Sequence, residues 1–589
     1  MRSSFNKYIF LSVFIGLTGH ALAQKDTTQL HKEVEVVKAY QPSISDAFKI
    51  NDIPQINPGN TEKPTFEYRI NPQPVFTTFT VEPVQAAQMT REPKEKLTTG
   101  MVKAGIGNYQ TPYGELFLNG QPSKNTTLGL HLRHLSSNGK IKLLNDDKVK
   151  APHSDNLAEF YTKHVIGKST LSTKVFFEQK AFRYYGYAGD SLSNTAKNAI
   201  FPLWDAKQSF SRGGLSLGLT GNEDPKADFR FKSGFNYQYF GTKTGQKEHL
   251  VKLNGLLDKK LELFTGQLGI GLTFVNADSI LNQTYNGFGN RQEMILTLKP
   301  SVFFEGDIAS LRVGINSYSV TDSDTDGDYL LTPNVKGEWF PIQDVLTLYA
   351  GLDGYLAHNH YSAVAAENQF VNPYHDIKNA KYRYILTGGV RSKLSPRFHL
   401  GSRIDYANIK DQHFYILNDS RILSTGETTR SNTFDVLYDK LNQLTIGAEL
   451  FYAATDQVSL LLKGKFHSYN MNTLDEAWHK PAYEATTSLN FRPNGPLSIT
   501  ADINVISERK ALIRTSVYDT EGATEPSGLE QTVFTLEPVL DLNFGLNYQY
   551  SKNLNFWGQV NNFSFQKYES WLGYANKGLN LLVGLSFSF

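Results

Sequence analysis

Apolar and polar residues alternate over most of this chain. Phe229, Phe231, Phe235, Tyr237 and Tyr239 are interleaved with Arg230, Lys232, Gly234, Asn236 and Gln238. Leu540, Leu542, Phe544, Leu546, Tyr548 and Tyr550 stand against Asp541, Asn543, Gly545, Asn547 and Gln549. Leu268, Ile270, Leu272 and Phe274 stand against Gln267, Gly269, Gly271 and Thr273. Successive side chains of a strand point to opposite faces, so each segment predicts a strand with one apolar and one polar face. The texture repeats from about Leu97 to the C-terminus in segments of roughly 10 residues. Globular strands cluster near roughly 5 or 6 residues, whereas tilted membrane strands need roughly 9 to 11. The polar faces also carry charge and amide in quantity, as a wet lumen requires and the core of a soluble sandwich or propeller does not.

The connections are of two kinds. Tight ones fall near Pro122, Gly167, Pro225, Asp258, Asp307, Gln343, Pro396, Asp456, Asn494 and Lys552. Longer, more polar ones lie between them: Ser137 to Asp155, Arg183 to Asp205, His358 to Asn379, Gln412 to Ser431 and Lys510 to Glu537. Membrane barrels place short turns on the periplasmic side and long loops outside. The pattern therefore predicts an all-β fold: a transmembrane antiparallel barrel of about 22 strands over residues 97–589, embedded in outer-membrane lipid.

Residues 1–23 read as a secretory signal: Arg2 and Lys7, the apolar run Tyr8 to Leu17, then Ala21-Leu22-Ala23 as the cleavage pattern. The run is shorter than the roughly 20 residues of a spanning helix. Residues 24–96 contain Pro42, Pro54, Pro58, Pro64, Pro72, Pro74, Pro83 and Pro93 with little periodic pattern, which predicts a mostly extended segment. A barrel this wide leaves a lumen that its own side chains do not fill, and such barrels are plugged. Residues 24–96 either occupy the lumen as a short plug or hang in the periplasm to bind a partner.

Composition adds exclusions. There is no cysteine among the 589 residues, which removes disulfides, thiolate metal sites and cysteine nucleophiles. A net charge of +2 gives no footprint for nucleic acid.

Leu579, Leu581, Val583, Leu585, Phe587 and Phe589 share one face of the last segment, with Leu582 alone on the other side. This resembles the C-terminal assembly signal of bacterial outer-membrane barrels, with Leu585, Phe587 and Phe589 at its core, and implies recognition by the barrel-assembly machinery. Lys32-Glu33-Val34-Glu35-Val36-Val37-Lys38-Ala39 looks like the TonB box of TonB-dependent receptors. In that family the box adds as a strand to a periplasmic TonB-type protein, which makes Glu33, Val34, Glu35, Val36 and Val37 candidate partner-binding residues. The stretch Gln41-Pro42-Ser43-Ile44-Ser45-Asp46-Ala47-Phe48-Lys49-Ile50, with Gly105-Ile106-Gly107-Asn108-Tyr109, is similar to Bacteroidota outer-membrane barrels related to those receptors. The departure is the plug: the family carries more than a hundred residues, and here there is room for about seventy.

Asp322-Ser323-Asp324-Thr325-Asp326-Gly327-Asp328 opens like a calcium loop, with Asp322, Asp324, Asp326 and Asp328 as candidate ligands. Pro333 stands where the bidentate Glu belongs, so the readings are a structural Ca²⁺ clamp, the one cofactor the sequence offers, or a solvated acidic hairpin tip. His358, His360, His375 and Asp376 share one loop and could form a metal or acid–base site. His131 and Arg133 read as lumen-lining. Tyr184, Tyr185, Tyr187 and Trp204 read as an interface girdle or, failing that, a sugar-stacking platform. No hydrolytic constellation emerges, so an enzyme is not expected. The expected function is a transporter or receptor barrel gated by its N-terminal segment and TonB-coupled. The alternative is a non-transporting scaffold or assembly barrel that binds periplasmic and surface partners.

Overall fold

The computed structural model describes residues 99–189, 207–221, 227–278, 291–322, 327–372, 377–422, 428–429, 432–517 and 527–589. Gly100–Gly107 pairs with Thr111–Ser123 on one side and with the C-terminal strand Asn580–Ser588 on the other. Every intervening barrel strand pairs antiparallel with its neighbours, so the sheet closes on itself. Of its 25 strands, three stand outside the ring: Thr428–Thr429, Arg509–Val517 and Gly528–Leu536. That leaves a closed barrel of 22 strands. Closure removes the free edges that an open sheet of this size would expose.

The period-two pattern is realised as two chemically distinct walls. Leu253, Leu257, Ile270, Phe274, Val583, Leu585 and Phe587 face outward and are exposed along with their many equivalents. An apolar surface this extensive is tolerable only against lipid. Inward, charges meet across strands, His131 with Glu115 at 2.9 Å, Arg133 with Asp155 at 3.2 Å and Lys174 with Glu159 at 2.6 Å, and along one strand, Arg403 with Asp405 at 2.7 Å. His131 and Arg133 thus line the lumen, as their strand's alternation predicts.

The termini of the ring lie together, Gly100 N–H donating to the Phe589 carbonyl at 2.9 Å. Nine of the ten tight connections read from sequence lie among the described residues and fall at that same end, for example Gly167 at φ +60° between His153–Ile166 and Ser169–Arg183, while Pro225 lies outside the described residues. One loop is misplaced by the sequence reading. Gln412 to Leu417, expected as connection, continues the strand Phe398–Ile422 past a bulge between Ile409 and Gln412. The run Phe414-Tyr415-Ile416-Leu417 is buried there, which favours continued pairing over a solvated loop.

Candidate gate at the outer mouth

Most of the buried apolar residues gather not in the barrel wall but at the end with the long loops. One cluster joins Phe182, Phe210, Phe240, Tyr361, Val364, Phe370, Tyr415, Phe434, Leu536 and Tyr574. A second joins Ile409, Phe414, Ile416, Leu441, Trp478 and Leu512. These residues come from strand ends around the ring and from several loops, so the loops fold together into a cap over the mouth. The rings stack closely: Phe370 lies on Tyr574 with centroids 3.6 Å apart, and Tyr185 meets Tyr574 edge-on at 5.0 Å.

At the centre runs a strap, described over residues 358–372 and 377–379, carrying the short helix Tyr361–Glu367. Three carboxylates tie it down. Glu248, 2% exposed, projects from the strand Lys247–Lys260 and accepts from Ser362 Oγ at 2.6 Å while meeting His360 Nδ1 at 2.8 Å. Glu293, 1% exposed on Arg291–Glu305, takes the Asn379 amide and a 2.9 Å contact from Arg291, whose other nitrogen reaches the Ile377 carbonyl. On the far side Glu367, at the helix end, meets His413 Nε2 at 2.7 Å and accepts from Lys480 Nζ at 2.7 Å and the Tyr415 hydroxyl at 3.1 Å. Burial alone would raise the Glu367 carboxyl, but His413 and Lys480 outweigh it and hold it well below the usual carboxylate range. The strap also exchanges backbone bonds with Phe434, whose N–H donates to the Phe370 carbonyl at 3.0 Å. Glu248 and Phe434 stand on the eighth and sixteenth strands of the 22, so the strap crosses the mouth.

The remaining loops lock onto this strap. His479, fully buried, donates from Nδ1 to the Tyr415 carbonyl at 2.9 Å and accepts the Leu572 N–H at Nε2, 3.4 Å. An imidazole holding an acceptor nitrogen has no room for a second proton, and burial pushes His479 down to about 3. The hairpin Arg509–Val517/Gly528–Leu536 runs its first strand parallel to the outer end of Phe398–Ile422, and Arg509 donates to the Ser570 and Glu569 carbonyls at 2.8 and 2.6 Å. Burial pushes the Glu569 carboxyl up to about 7 despite the nearby Arg509. Asp439 closes another join, accepting the backbone N–H groups of Asn472, Thr473 and Leu474 at 3.1, 2.9 and 2.9 Å.

The sequence candidates divide across this picture. His358 and His360 do approach each other, ring centroids 5.1 Å apart, but each faces a wall carboxylate, Glu293 at 3.3 Å and Glu248. Among the described residues no group of three or more His, Asp or Glu could hold a metal ion. His375 and Asp376 lie outside the described residues. Tyr184 and Tyr187 are not girdle residues: both are buried in the cap, and Tyr185 packs against it, because their loop folds inward over the mouth. Trp204 lies outside the described residues. Asp322 faces Arg291 at 3.4 Å and Asp328 pairs with Lys381, while Asp324 and Asp326 lie outside the described residues. So do Glu33, Val34, Glu35, Val36 and Val37. Leu585, Phe587 and Phe589 face outward on the closing strand, 43–48% exposed. Glu248, Glu293 and Glu367 were missed, since nothing local marks a carboxylate whose partner is 46 to 114 residues away.

No family model and no curated protein matches this chain. Solved structures do. The pyoverdine outer membrane receptor FpvA of Pseudomonas aeruginosa superposes with a TM-score of 0.60 at 11% identity, over 84% of this chain and 78% of that one. The FrpB iron transporter of Neisseria meningitidis gives 0.60 at 11%, over 83% and 81%. The ferric-catecholate import receptor Fiu of Escherichia coli K12 gives 0.57 at 11%, over 84% and 82%. At this identity the likeness is one of fold.

Proposed function

We propose that this barrel is an outer-membrane receptor-type transporter whose outer mouth is shut by the strap and opens for passage of a solute. The observation that carries the reading is the joining of a 22-strand ring, too wide to be filled by its wall, to a strap tied on one side by the buried Glu248 and on the other through Glu367 to Lys480 and His413. The names of the structural neighbours, receptors and transporters of iron and siderophores, support the class of activity. A shut gate in a passive membrane needs an energy input, and the valine-rich stretch Glu33 to Val37 is the segment we propose receives it, by strand addition to a TonB-type periplasmic protein.

Conductance in a planar bilayer tests the gate. The full-length barrel is expected to be silent, and replacing residues 360–372 by a Gly-Ser linker, in a background lacking residues 24–95, is expected to open a large pore. A pore of equal size with the strap intact in that background would show that the strap does not gate. Site-directed cross-linking from positions 33 to 37 tests the coupling, and failure to capture a TonB-type protein in cells would remove it. The scaffold reading draws on the cap itself, packed like a folded core. It predicts silence in every variant and a stable co-purifying partner.

A further inference from the structure

The first long loop, between Thr126–Ser137 and His153–Ile166, contains a two-stranded hairpin, Lys140–Lys142 and Lys148–Lys150. Its register sets Lys140 opposite Lys150, Ile141 opposite Val149 and Lys142 opposite Lys148. Ile141 and Val149 are buried against Tyr187 and Ala575 of the cap, and all four lysines are exposed on the other face. Opposed residues of an antiparallel pair sit about 5 Å apart and alternate residues along a strand about 7 Å apart, so the four side chains spring from a small rectangle. Like charges directly opposite one another destabilise a hairpin, where a Lys–Glu pair at either register position would stabilise it. Only Asp146, at the hairpin tip, relieves the array. It pairs with Lys142 at 2.7 Å and draws in a fifth cation, Lys567, at 2.8 Å. Among the described residues no carboxylate pairs with Lys140, Lys148 or Lys150.

We propose that this lysine face is a docking surface for an acidic polysaccharide chain outside the membrane. The argument is charge complementarity. Four ammonium groups set along two paired strands present repeated charge, which suits a chain that repeats its own charge better than a single small anion. Lysines are compact point charges without the planar fork of arginine, suited to charge density rather than to one oriented group. The face has no aromatic side chain for stacking bases, as single-stranded nucleic acids require. Protein interfaces are depleted in lysine and enriched in aromatics and arginine, which this face lacks. The surface does not depend on the barrel transporting anything.

The full-length protein in detergent, with alginate as the polyuronate and dextran as its neutral control, tests this. Alginate is expected to bind and dextran not, with affinity falling linearly in log-log plots against NaCl as counterions are displaced from the polyanion. The exposed double variant Lys140→Gln/Lys148→Gln is expected to lose about tenfold in affinity at low salt, two contacts' worth. Lys140→Arg/Lys148→Arg should keep it. Heat-modifiable gel mobility verifies that each variant is a folded barrel. Equal binding of alginate and dextran, or undiminished alginate binding by the Gln variant, overturns the proposal. So does tighter, Lys140- and Lys148-dependent binding to lipid A vesicles, which would assign the face to membrane lipid.

Discussion

Glu248 carries the most weight among the residues of the gate, because its carboxylate is out of water and holds Ser362 and His360 at once. Removing that carboxylate leaves the buried groups that it holds without their acceptor, at a cost of about 1–3 kcal/mol. Glu248→Ala is therefore expected to release the strap by an amount of that order, read as faster limited proteolysis between Tyr361 and Asn372; an unchanged cleavage rate would refute the anchor. The cap also contains two titrations of opposite sign. His479 is held down to about 3, against an ordinary imidazole near 6.5, so the opened cap binds the proton first. Its contribution is whole above about 6.5 and fades as pH falls toward 3. Burial likewise holds His358 below its ordinary value, adding to that side. Glu569 is held up to about 7, against an ordinary carboxyl near 4.3, so the closed cap keeps the proton longer. Its contribution is whole below about 4.3 and is lost as pH rises through 7. Between those values the groups oppose, and Glu569→Gln should unmask the histidines, with amide protection in 566–576, taken relative to intrinsic exchange, falling more steeply on acidification than in the parent. Parallel pH profiles for the two proteins would show that Glu569 does not titrate there.

Elements differ in how well the chain advertises them. Asp439 gathers three consecutive N–H groups, and hydrogen bonds to a charged acceptor are worth about 1.5–3 kcal/mol each. Asp439→Ala should loosen the loop 472–482, accelerating amide exchange at Asn472, Thr473 and Leu474 by about tenfold or more; protection equal to the parent's would show the clamp to be redundant. The seam is the second test. A Cβ on Gly584 would lie 2.1 Å from the Ala104 carbonyl and 2.5 Å from the Trp557 ring, both inside contact. Gly584→Ala is expected to prevent pairing of Gly100–Gly107 with Asn580–Ser588, so that the protein runs as an unfolded band on a heat-modifiability gel. A normal folded band would mean that the seam has slack. Strands and turns were legible because their causes are local: alternation for the two walls, and mostly Gly, Pro, Asp and Asn for the nine tight turns among the described residues. The cap was not. Phe370 gives no sign that it will meet Tyr574, nor Tyr184 that its loop will fold inward, because those contacts join segments hundreds of residues apart.

On the scale of the whole molecule, lipid and water divide the sequence, and the cap falls in neither region. The outward residues are settled by lipid and the inward ones by paired charge, which leaves the apolar loop residues free to find one another only above the mouth. A cap with its own core opens as a unit or by shedding its strap, and the two can be separated. The chain has no cysteine, so introduced thiols report without background. Ser362 on the strap accepts from the Gln238 amide on the wall at 3.3 Å. Ser362→Cys/Gln238→Cys, bridged by a short bis-maleimide, should pin the strap while leaving the other loops free. If passage requires strap movement, uptake by cells carrying the bridged protein should fall by about tenfold or more, a shift of roughly 1.4 kcal/mol in the opening equilibrium. The unbridged double-thiol protein and each single-thiol variant treated with the same reagent set the baseline from which that fall is measured. Uptake undiminished by the bridge would leave the strap as a fixed ceiling and move the route to the loops beside it.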